Sequence, residues 1–331
     1  MNIRIATPAP PRSRSGNRAT ALRWARILRK LGHTVSVGQS GGAGDCDLLV
    51  ALHARRSAEA IESFHRAPPE RPIIVTLTGT DLYDDIRHDA QAQQSLEIAT
   101  RLIVLHGRGT DELPARYHDK TRVIYQSAIR PRQPVTRKTD VFEVCVMGHL
   151  RAVKDPFRTA EAAALLPESS RITVLHLGAA LDDAMADRAG RETTRNRRYC
   201  WLGDQPRPKA RQILAASRLL VLSSRMEGGA NVVSEALACD VPVLSSRIAG
   251  SIGLLGEDYP GYFAVGDTQA LADLMRRAEA DQGFYHQLQT HCRGRAHLFE
   301  PDRELRAWEE LLCELARAPL RVAAKRVKRD S

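Results

Sequence analysis

The sequence lacks any apolar run long enough to cross a bilayer. Runs such as Ile73–Val75 and Leu219–Leu222 have the length of strands, whereas a membrane-spanning helix needs about 20 apolar residues. The first residues, MNIRIATPAPP, contain no apolar segment of signal-peptide length, so we interpret them as the start of a strand. We therefore expect a cytoplasmic protein with no membrane partner.

Paired cysteines are absent as well. The six cysteines are scattered, form no CxxC pair and have no histidine at the spacing of a zinc site. This pattern argues against a disulfide framework and a structural zinc. It is typical of a protein in a reducing cytoplasm.

Aromatic residues make up only 5% of the chain, and we find no helix-turn-helix, zinc-finger or RNA-recognition motif. The formal net charge is +10, of which +4 lies in the last eleven residues, RVAAKRVKRDS. A basic body favours anionic ligands, but it does not separate nucleic acids from small molecules that carry phosphate. Because stacking side chains are few, we favour a small molecule. A non-catalytic protein that binds anions or nucleic acid stays open as the alternative.

Short apolar runs alternate with amphipathic stretches along the 331 residues, a length typical of two domains. Runs that are apolar throughout are typical of strands covered on both faces, and their alternation with helices predicts a doubly wound α/β fold. Strands are predicted at Ile3–Thr7, Thr34–Val37, Leu48–Leu52, Ile73–Leu77, Arg101–Leu105, Arg122–Tyr125, Phe142–Met147, Ile172–Leu177, Leu219–Leu222, Val241–Leu244 and Tyr262–Val265. Helices are predicted at Asn17–Leu31, Ala58–His65, Gln93–Thr100, Pro156–Leu166, Lys209–Ala216, Val232–Cys239 and Ala270–Ala280.

The pattern breaks at residues 128–140, AIRPRQPVTRKTD, which contain two prolines and four basic residues. This composition predicts a linker between two Rossmann-like domains, residues 1–127 and 141–300. A last amphipathic helix, residues 301–317, could cross back onto the first domain, and residues 318–331 form a basic tail. The carboxyl ends of both sheets should line a central cleft, where ligands of such folds bind.

The loop after the first strand, PAPPRSRSGN, carries candidate binding residues. Gly16 would let backbone approach an anion, and Asn17 would cap the following helix, whose free N–H groups attract negative charge. Arg14 and Arg18 add positive charge. A solvated loop with a good N-cap would explain the same residues.

Two further loops follow buried strands of the first domain. The segment VTLTGTDLY places Thr78, Thr80 and Asp81 where hydroxyls and a carboxylate suit a sugar or an incoming nucleophile. The same residue types also build turns and helix caps. His53 and the pair Arg55–Arg56 follow the third strand. A lone histidine is more often structural, and the arginines would either hold a phosphate or simply be solvated.

The segment VMGHLRAVKDP follows the first strand of the second domain. Arg151 and Lys154 lie three positions apart beyond a glycine turn, so both can converge on a diphosphate. Arginine offers a planar fork of donors and lysine a point charge. Such a pair would neutralise the charge of a departing nucleotide. An exposed basic loop is the alternative.

The segment SSRMEGGANVVSEAL places Glu227 and Glu235 eight positions apart, on either side of a glycine turn. Glu227 follows a buried strand, and the turn would present N–H groups at the start of the helix that carries Glu235. A carboxylate accepts two hydroxyls at once, so the two glutamates suit a nucleotide sugar. In the alternative, structural interpretation, Glu227 is simply a turn residue and Glu235 a residue on the helix surface. The turn consists of Gly228, Gly229, Ala230 and Asn231.

These motifs resemble those of the GT-B glycosyltransferases of family 4. That family has two Rossmann-like domains, a glutamate–seven residues–glutamate motif, an Arg/Lys pair on the donor diphosphate and a Gly-rich loop after the first strand. The resemblance implies a UDP-sugar donor, with Glu227 facing the hexose and Glu235 the ribose, and neither metal nor cofactor. The matching residues are Glu227/Glu235, Arg151/Lys154 and Gly16-Asn17.

Two positions depart from the family pattern. Thr78 stands where many members have a histidine, and Gly229-Ala230 replaces the usual phenylalanine–glycine. Both departures count against ordinary transfer to an alcohol. A conventional transferase with a hydroxyl acceptor nevertheless stays open as an alternative.

A closer resemblance, over nearly the whole chain apart from the basic tail, is to the selenosugar synthases of selenoneine biosynthesis. It implies that selenophosphate attacks a UDP-hexose such as UDP-N-acetylglucosamine, forming a C–Se bond and releasing UDP. A strongly anionic, potent nucleophile needs a cationic pocket rather than a general base. The segments that carry the resemblance are TPAPP, GNRATALRWARILRKLGH, DLLVALHARRSAEAI, LTGTDLY, FEVCVMGHLRAVKDP, SSRMEGGANVVSEAL and GSIGLLGEDYPGYF.

The resulting site hypothesis gives each residue one or more roles. Catalytic roles are expected for Glu227, Arg151, Lys154 and Asp81. Donor contacts are expected from Gly16, Glu227, Gly228, Gly229, Ala230, Asn231, Glu235, Arg151 and Lys154. Acceptor contacts are expected from Arg14, Asn17, Arg18, Arg55, Arg56, Thr78 and Thr80.

Overall fold

The computed structural model describes residues 1–41, 46–68, 71–131, 133 and 135–317. The strands of the first half are β1 (Asn2–Ala6), β2 (Thr34–Gly38), β3 (Leu48–Leu52), β4 (Ile73–Thr76), β5 (Arg101–Val104) and β6 (Thr121–Val123). They form a parallel sheet in the order β2-β1-β3-β4-β5-β6, with Ile3 opposite Leu48. Every residue of the central strand β3, LLVAL, is 0% exposed, because helices cover both faces.

A second parallel sheet follows the same plan. Its strands are β7 (Phe142–Met147), β8 (Ile172–Leu177), β9 (Tyr199–Trp201), β10 (Leu219–Leu222), β11 (Val243–Ser246) and β12 (Tyr262–Phe263). The strand order is β12-β11-β10-β7-β8-β9. The chain changes direction across the sheet between β7 and β10, and in open α/β sheets the crevice at such a switch point binds ligands. The loops after these two strands carry Arg151 with Lys154, and Glu227.

Helices pack against both sheets. They are α1 (Gly16–Lys30), α2 (Ala58–Arg66), α3 (Ile86–His88), α4 (Ala90–Ile98), α5 (Arg158–Ala164), α6 (Asp183–Arg195), α7 (Arg207–Ala216), α8 (Asn231–Ala238), α9 (Ala249–Leu255), α10 (Thr268–Ala280), α11 (Gln282–Ala296) and α12 (Pro301–Arg317). None of these helices is both long and apolar enough to cross a membrane. The two doubly wound parallel sheets confirm the predicted α/β fold class.

Several elements differ from the predicted pattern. The strand β9 and the helices α6, α9 and α11 were not predicted. The helix α6 buries only Ala189 and Glu192, so its apolar stripe is too weak to see in the sequence. Asn17 does not cap the first helix as predicted: it lies inside α1, and Ser15 occupies the N-cap position without a side-chain capping bond.

The last helix, α12, packs against α1 and therefore lies on the first domain. The rings of Trp24 and Trp308 meet edge to face with centroids 4.8 Å apart, and both side chains are fully buried. Leu311 and Leu312 join the same apolar cluster as the strands of the first sheet. Aromatic and leucine burial of this kind holds the helix in place.

A buried carboxylate joins α12 to α1 and to the segment after β6. Glu304 is 1% exposed and accepts hydrogen bonds from Trp24 Nε1 at 2.7 Å and from the Ser127 amide at 2.9 Å. Its carboxylate also lies 3.3 Å from Nε of Arg23. The ion pair between Glu304 and Arg23 is therefore buried between α12 and the segment after β6.

We predict that Glu304→Ala lowers the free energy of unfolding by about 3–5 kcal/mol, because Arg23 would be left as an unpaired buried charge. Urea denaturation followed by tryptophan fluorescence measures this, since Trp24 and Trp308 lie at the interface. Glu309→Ala, at an exposed position of the same helix, should change stability by less than about 0.5 kcal/mol. Equal losses in the two variants would contradict the role given to Glu304.

Candidate active site

The loops at the carboxyl ends of the two sheets touch at Gly228. A Cβ atom at this position would lie 2.4 Å from the carbonyl carbon of Thr78 and 2.5 Å from the amide nitrogen of Gly79. Only glycine therefore lets the loop after β10 rest against the loop after β4. This backbone contact brings the Gly-Gly-Ala-Asn turn and the Thr-Gly-Thr-Asp segment, which are far apart in sequence, to one place.

Glu227 lies beside this contact, after the buried strand β10. The residue is 8% exposed. Its Oε1 accepts a hydrogen bond from Ser224 Oγ at 2.6 Å and forms an ion pair with Lys154 Nζ. Gly250 packs against its backbone, where a Cβ would lie 2.0 Å from the Glu227 carbonyl oxygen. The carboxylate is thus held in one orientation, with a cation beside it.

The loop after β7 is tied to the loop that carries Glu227. Asp155 ends its short 3₁₀ turn in a left-handed conformation with φ 43°, and its carbonyl accepts from Ser223 Oγ at 2.9 Å. The Val153 carbonyl accepts from the Arg225 amide at 2.8 Å. Arg151 is half-buried and has no ion-pair partner among the described residues. The two loops therefore place Lys154 against Glu227, with Arg151 three residues before Lys154 in the same loop.

Glu235 lies in α8, the helix that begins at Asn231. It is 6% exposed, and its Oε1 lies 2.9 Å from Arg207 Nη2. The position before the helix is Ala230, which caps no N–H group with its side chain. The Val233 amide donates to the Ala230 carbonyl at 2.9 Å, which leaves the amides at the very start of α8 open to an anion. Within the residues that the structure describes, no three His, Cys, Asp or Glu side chains are grouped to hold a metal.

The first helix approaches the same turn from the other domain. Gly16 begins α1, and a Cβ built on it would lie 4.0 Å from Asn231 Nδ2. Arg14, just before the helix, pairs with Asp204 of the second domain at 2.9 Å. Asn17 and Arg18 lie in the first turn of α1. The structure thus brings the N-termini of α1 and α8 together across the cleft.

The cations after β3 are held differently from one another. Arg55 is engaged by Asp85 at 2.9 Å and by Asp89 at 3.8 Å. Arg56 is exposed, without an ion pair in the described part of the chain. His53 is 3% exposed, with φ 77°, and its Nε2 lies 3.1 Å from Thr80 Oγ1. Burial lowers the pKa of His53 against the opposing pull of Asp81.

Asp81 does not face the cleft as a free carboxylate. It is 0% exposed. One oxygen accepts from the amides of Thr78 at 2.9 Å and Gly79 at 2.8 Å, and the other from the amide of Ala54 at 3.0 Å. These bonds shape the loop that contacts Gly228. The geometry gives Asp81 a positioning role rather than the catalytic one expected from its place in the sequence.

Two histidines near the site were not selected from the sequence. His149 follows the glycine after β7, and its Nδ1 accepts from the Ala179 amide at 3.1 Å, so the neutral ring carries its proton on Nε2. Burial lowers the pKa of His149, and the charges of Arg151 and Lys154 lower it further. In the sequence, the position of His149 beside Gly148 was the one signal that could have pointed to a role at the site.

His106 ends the loop after β5 and is completely buried. Its Nε2 lies 3.0 Å from the hydroxyl of Tyr83, which belongs to the π-helical turn Asp81–Asp85. Burial lowers the pKa of His106 to about 4, so the ring is neutral at pH 7. The helix α9 covers this ring at Gly253, where a Cβ would lie 2.3 Å from His106 Nδ1. The contact of His106 with Gly253 therefore joins the two domains.

Comparison with known structures supports this architecture. A sucrose-phosphate synthase from Thermosynechococcus elongatus superposes with a TM-score of 0.77 at 16% identity, covering 95% of this chain and 98% of that one. Anabaena Alr3699/HepE, solved in complex with UDP, gives a TM-score of 0.72 at 17% identity, covering 95% and 100% of the two chains. At these identities the likeness shows the fold alone. Both superpositions extend across both sheets.

A curated relative matches part of the chain. It is named "Putative teichuronic acid biosynthesis glycosyltransferase TuaC" and comes from Bacillus subtilis (strain 168). The two sequences are 30% identical over 136 residues, which is 41% of this chain and 32% of the relative. The match therefore spans about a third of the relative's length.

Residues 129–295 match the family described as "Glycosyl transferases group 1". This range is half of the chain and runs from the linker into α11. It contains Arg151, Lys154, Glu227 and Glu235, the charged residues that the structure gathers at the carboxyl edge of the second sheet. The chain therefore belongs to the group 1 glycosyl transferases.

Proposed function

We propose that this protein is a glycosyltransferase that uses a UDP-sugar donor. The observation that carries the proposal is the Lys154–Glu227 ion pair beside the open N-terminus of α8, at the switch point of the second sheet. A cation and free helix amides suit a diphosphate, and a carboxylate beside them suits sugar hydroxyls. The HepE structure with UDP supports a UDP-sugar as the donor class.

In this proposal the second domain holds the donor. Arg151, Lys154 and the N–H groups from Gly228 to Asn231 contact the diphosphate. Glu227 accepts hydroxyls of the hexose, and Glu235 accepts those of the ribose after Arg207 turns aside. As the bond from the sugar C1 to the phosphate oxygen breaks, negative charge grows on the departing UDP. Cations and helix amides stabilise that charge where water is excluded.

We further propose that the acceptor is selenophosphate and the product a 1-selenosugar. A selenium lone pair forms the C–Se bond, the electrons of the C1–O bond leave with UDP, and water later removes the phosphoryl group from selenium. Asn17, Arg18 and Arg56 would hold the anion, with Thr78 and Thr80 beside it. Arg14 would first have to leave Asp204, and Arg55 would have to leave Asp85 and Asp89. The close sequence resemblance to selenosugar synthases supports this choice.

A conventional transfer to a hydroxyl is the second candidate. The observation that favours it is the contact between His53 and Thr80, at 3.1 Å beside the proposed acceptor position. Burial lowers the pKa of His53, and its Nδ1 accepts from the Arg56 amide at 3.3 Å, so the neutral ring carries its proton on Nε2. Nε2 therefore donates to Thr80 Oγ1 and would orient that hydroxyl toward a hydroxyl acceptor. The name of the Bacillus subtilis relative fits such an activity. A cytoplasmic location goes with either candidate, because six free cysteines suit a reducing compartment.

We predict that purified protein converts UDP-N-acetylglucosamine and enzymatically generated selenophosphate into a selenium-containing sugar without added metal. Mass spectrometry detects the sugar, and UDP release should require selenophosphate. UDP release without a selenosugar would contradict the selenophosphate acceptor and leave the hydroxyl acceptor. No consumption of donor with any acceptor would contradict transferase activity and leave an anion-binding protein.

Glu227→Gln is expected to lower kcat by about 100-fold or more, because removing one preorganised charge at a transition state has effects of this size. The fold should be preserved, since glutamine has the same shape and still accepts from Ser224. Glu257→Gln is the matched control, because Glu257 also forms an ion pair, with Arg247, but is 52% exposed. Wild-type turnover in Glu227→Gln would show that this carboxylate is not part of the site.

Lys154→Ala is expected to raise the donor KM by about 10–100-fold, as expected for loss of a hydrogen bond from a charged group. The KM for the acceptor should change much less. Initial rates at varied donor concentration measure this, and Lys209→Ala, at an exposed position of α7, is the control. Unchanged donor KM and kcat in Lys154→Ala would remove the residue from the donor site.

A further inference from the structure

Gln126 is a buried amide at the point where the chain leaves the first sheet. It follows β6 by three residues and is 4% exposed. A buried amide must find partners for two N–H donors and for its oxygen, or it destabilises the fold. The partners of Gln126 come from both domains, and neither composition nor local spacing in the sequence points to them.

On one side the Gln126 amide faces α1. Its oxygen accepts from Thr20 Oγ1 at 2.6 Å and from Arg23 Nη2 at 2.9 Å. Arg23 is itself anchored, since Nη1 donates to the Ser127 carbonyl at 3.1 Å and Nε lies 3.3 Å from Glu304. The oxygen end of Gln126 is therefore fixed by a buried network that reaches α12.

On the other side the amide faces the glycine turn. With its oxygen toward α1, the Gln126 NH₂ group donates to Asn231 Oδ1 at 3.1 Å and to the Gly229 carbonyl at 3.2 Å. In the reverse orientation the Gln126 oxygen would face these acceptors and its NH₂ group would face the Arg23 guanidinium, so the amide is assigned the orientation in which both of its ends find partners. One side chain thus joins the first helix to the turn of the other domain.

We propose that Gln126 is a positioning residue that sets the direction of the N–H groups in the Gly228–Asn231 turn. In a trans peptide the C=O and N–H point in opposite directions. A Gly229 carbonyl held toward Gln126 therefore turns the Ala230 N–H away from Gln126 and into the cleft. The inference rests on the proposed function, in which these amides contact the donor diphosphate.

Gln126→Glu tests the proposal with little change of shape. A glutamate still accepts from Thr20 and Arg23, so the side facing α1 should be preserved, and the thermal unfolding midpoint is measured alongside to verify that the variant is folded. It cannot donate to Gly229 or Asn231, so the Kd for UDP, measured by calorimetry, should rise by about tenfold or more. Gln126→Met, which is neutral, should weaken UDP binding as well. This comparison separates the effect of the lost hydrogen bonds from that of charge repulsion.

Thr20→Val is the matched control. It removes a buried partner of the same amide on the side away from the turn. A purely structural network would make this variant and Gln126→Glu similar in UDP affinity. The proposal expects Thr20→Val to bind UDP within about twofold of the wild type, with any loss confined to the unfolding midpoint.

Hydrogen exchange gives a readout that needs no ligand. The amides of residues 228–231 should exchange about tenfold faster in Gln126→Glu and Gln126→Met, with the second sheet unchanged. Wild-type UDP affinity and wild-type exchange in both variants would overturn the proposal while leaving the donor assignment intact. If the wild type binds no UDP but the variants exchange faster, the donor assignment fails and the positioning role stands.

Discussion

The contact between Gly228 and the Thr78–Gly79 peptide is the constraint on which the rest of the site depends. Each sheet alone offers half of a binding surface. The loops after β7 and β10 carry acidic side chains and two cations, whereas the loops after β3 and β4 carry arginines and hydroxyl groups. The backbones of the two loops are in direct contact, since a Cβ atom at Gly228 would lie only 2.4 Å from the carbonyl carbon of Thr78. No space is therefore left between the two halves at this point. Asp81 supports this contact, because the hydrogen bonds that it accepts from three backbone amides shape the loop that touches Gly228.

Charge pairing is the second constraint, and it follows from burial. Glu227, Glu235 and Glu304 are each less than a tenth exposed, and each has one cation: Lys154, Arg207 and Arg23. A buried carboxylate without such a partner would be strongly destabilising. In the proposed complex the pairs at Glu227 and Glu235 would exchange partners. The cations would move to the diphosphate, and neutral sugar hydroxyls would take their places beside the two glutamates.

The fold was predictable because most of its strands are short, largely apolar runs, and β3, β7, β8 and β10 lie where the runs predicted them. The helix α6 was not predicted, since it buries only Ala189 and Glu192. The helix α11 was missed although its buried residues recur at helical spacing: Phe284, Tyr285, Leu288, Gln289 and Cys292. The charged motifs could be found because each is local, within a dozen residues. Gln126 could not: its partners are Thr20, Arg23, Gly229 and Asn231, and only the folded chain brings them together. Burial of Asp81 was equally invisible, because its partners are backbone amides.

The charges of the first domain bear on the choice of acceptor. Arg55 is neutralised by Asp85 and Asp89, and Arg14 by Asp204 across the cleft. Arg18 and Arg56 have no ion-pair partner within the described ranges. Arg56 is exposed to solvent, whereas Arg18 is half-buried. A neutral acceptor bound against Arg18 would leave a partly desolvated cation without a counter-charge, which costs free energy. An anionic acceptor would supply that charge. The balance of charge therefore favours an acceptor that carries negative charge, the class to which the proposed selenophosphate belongs.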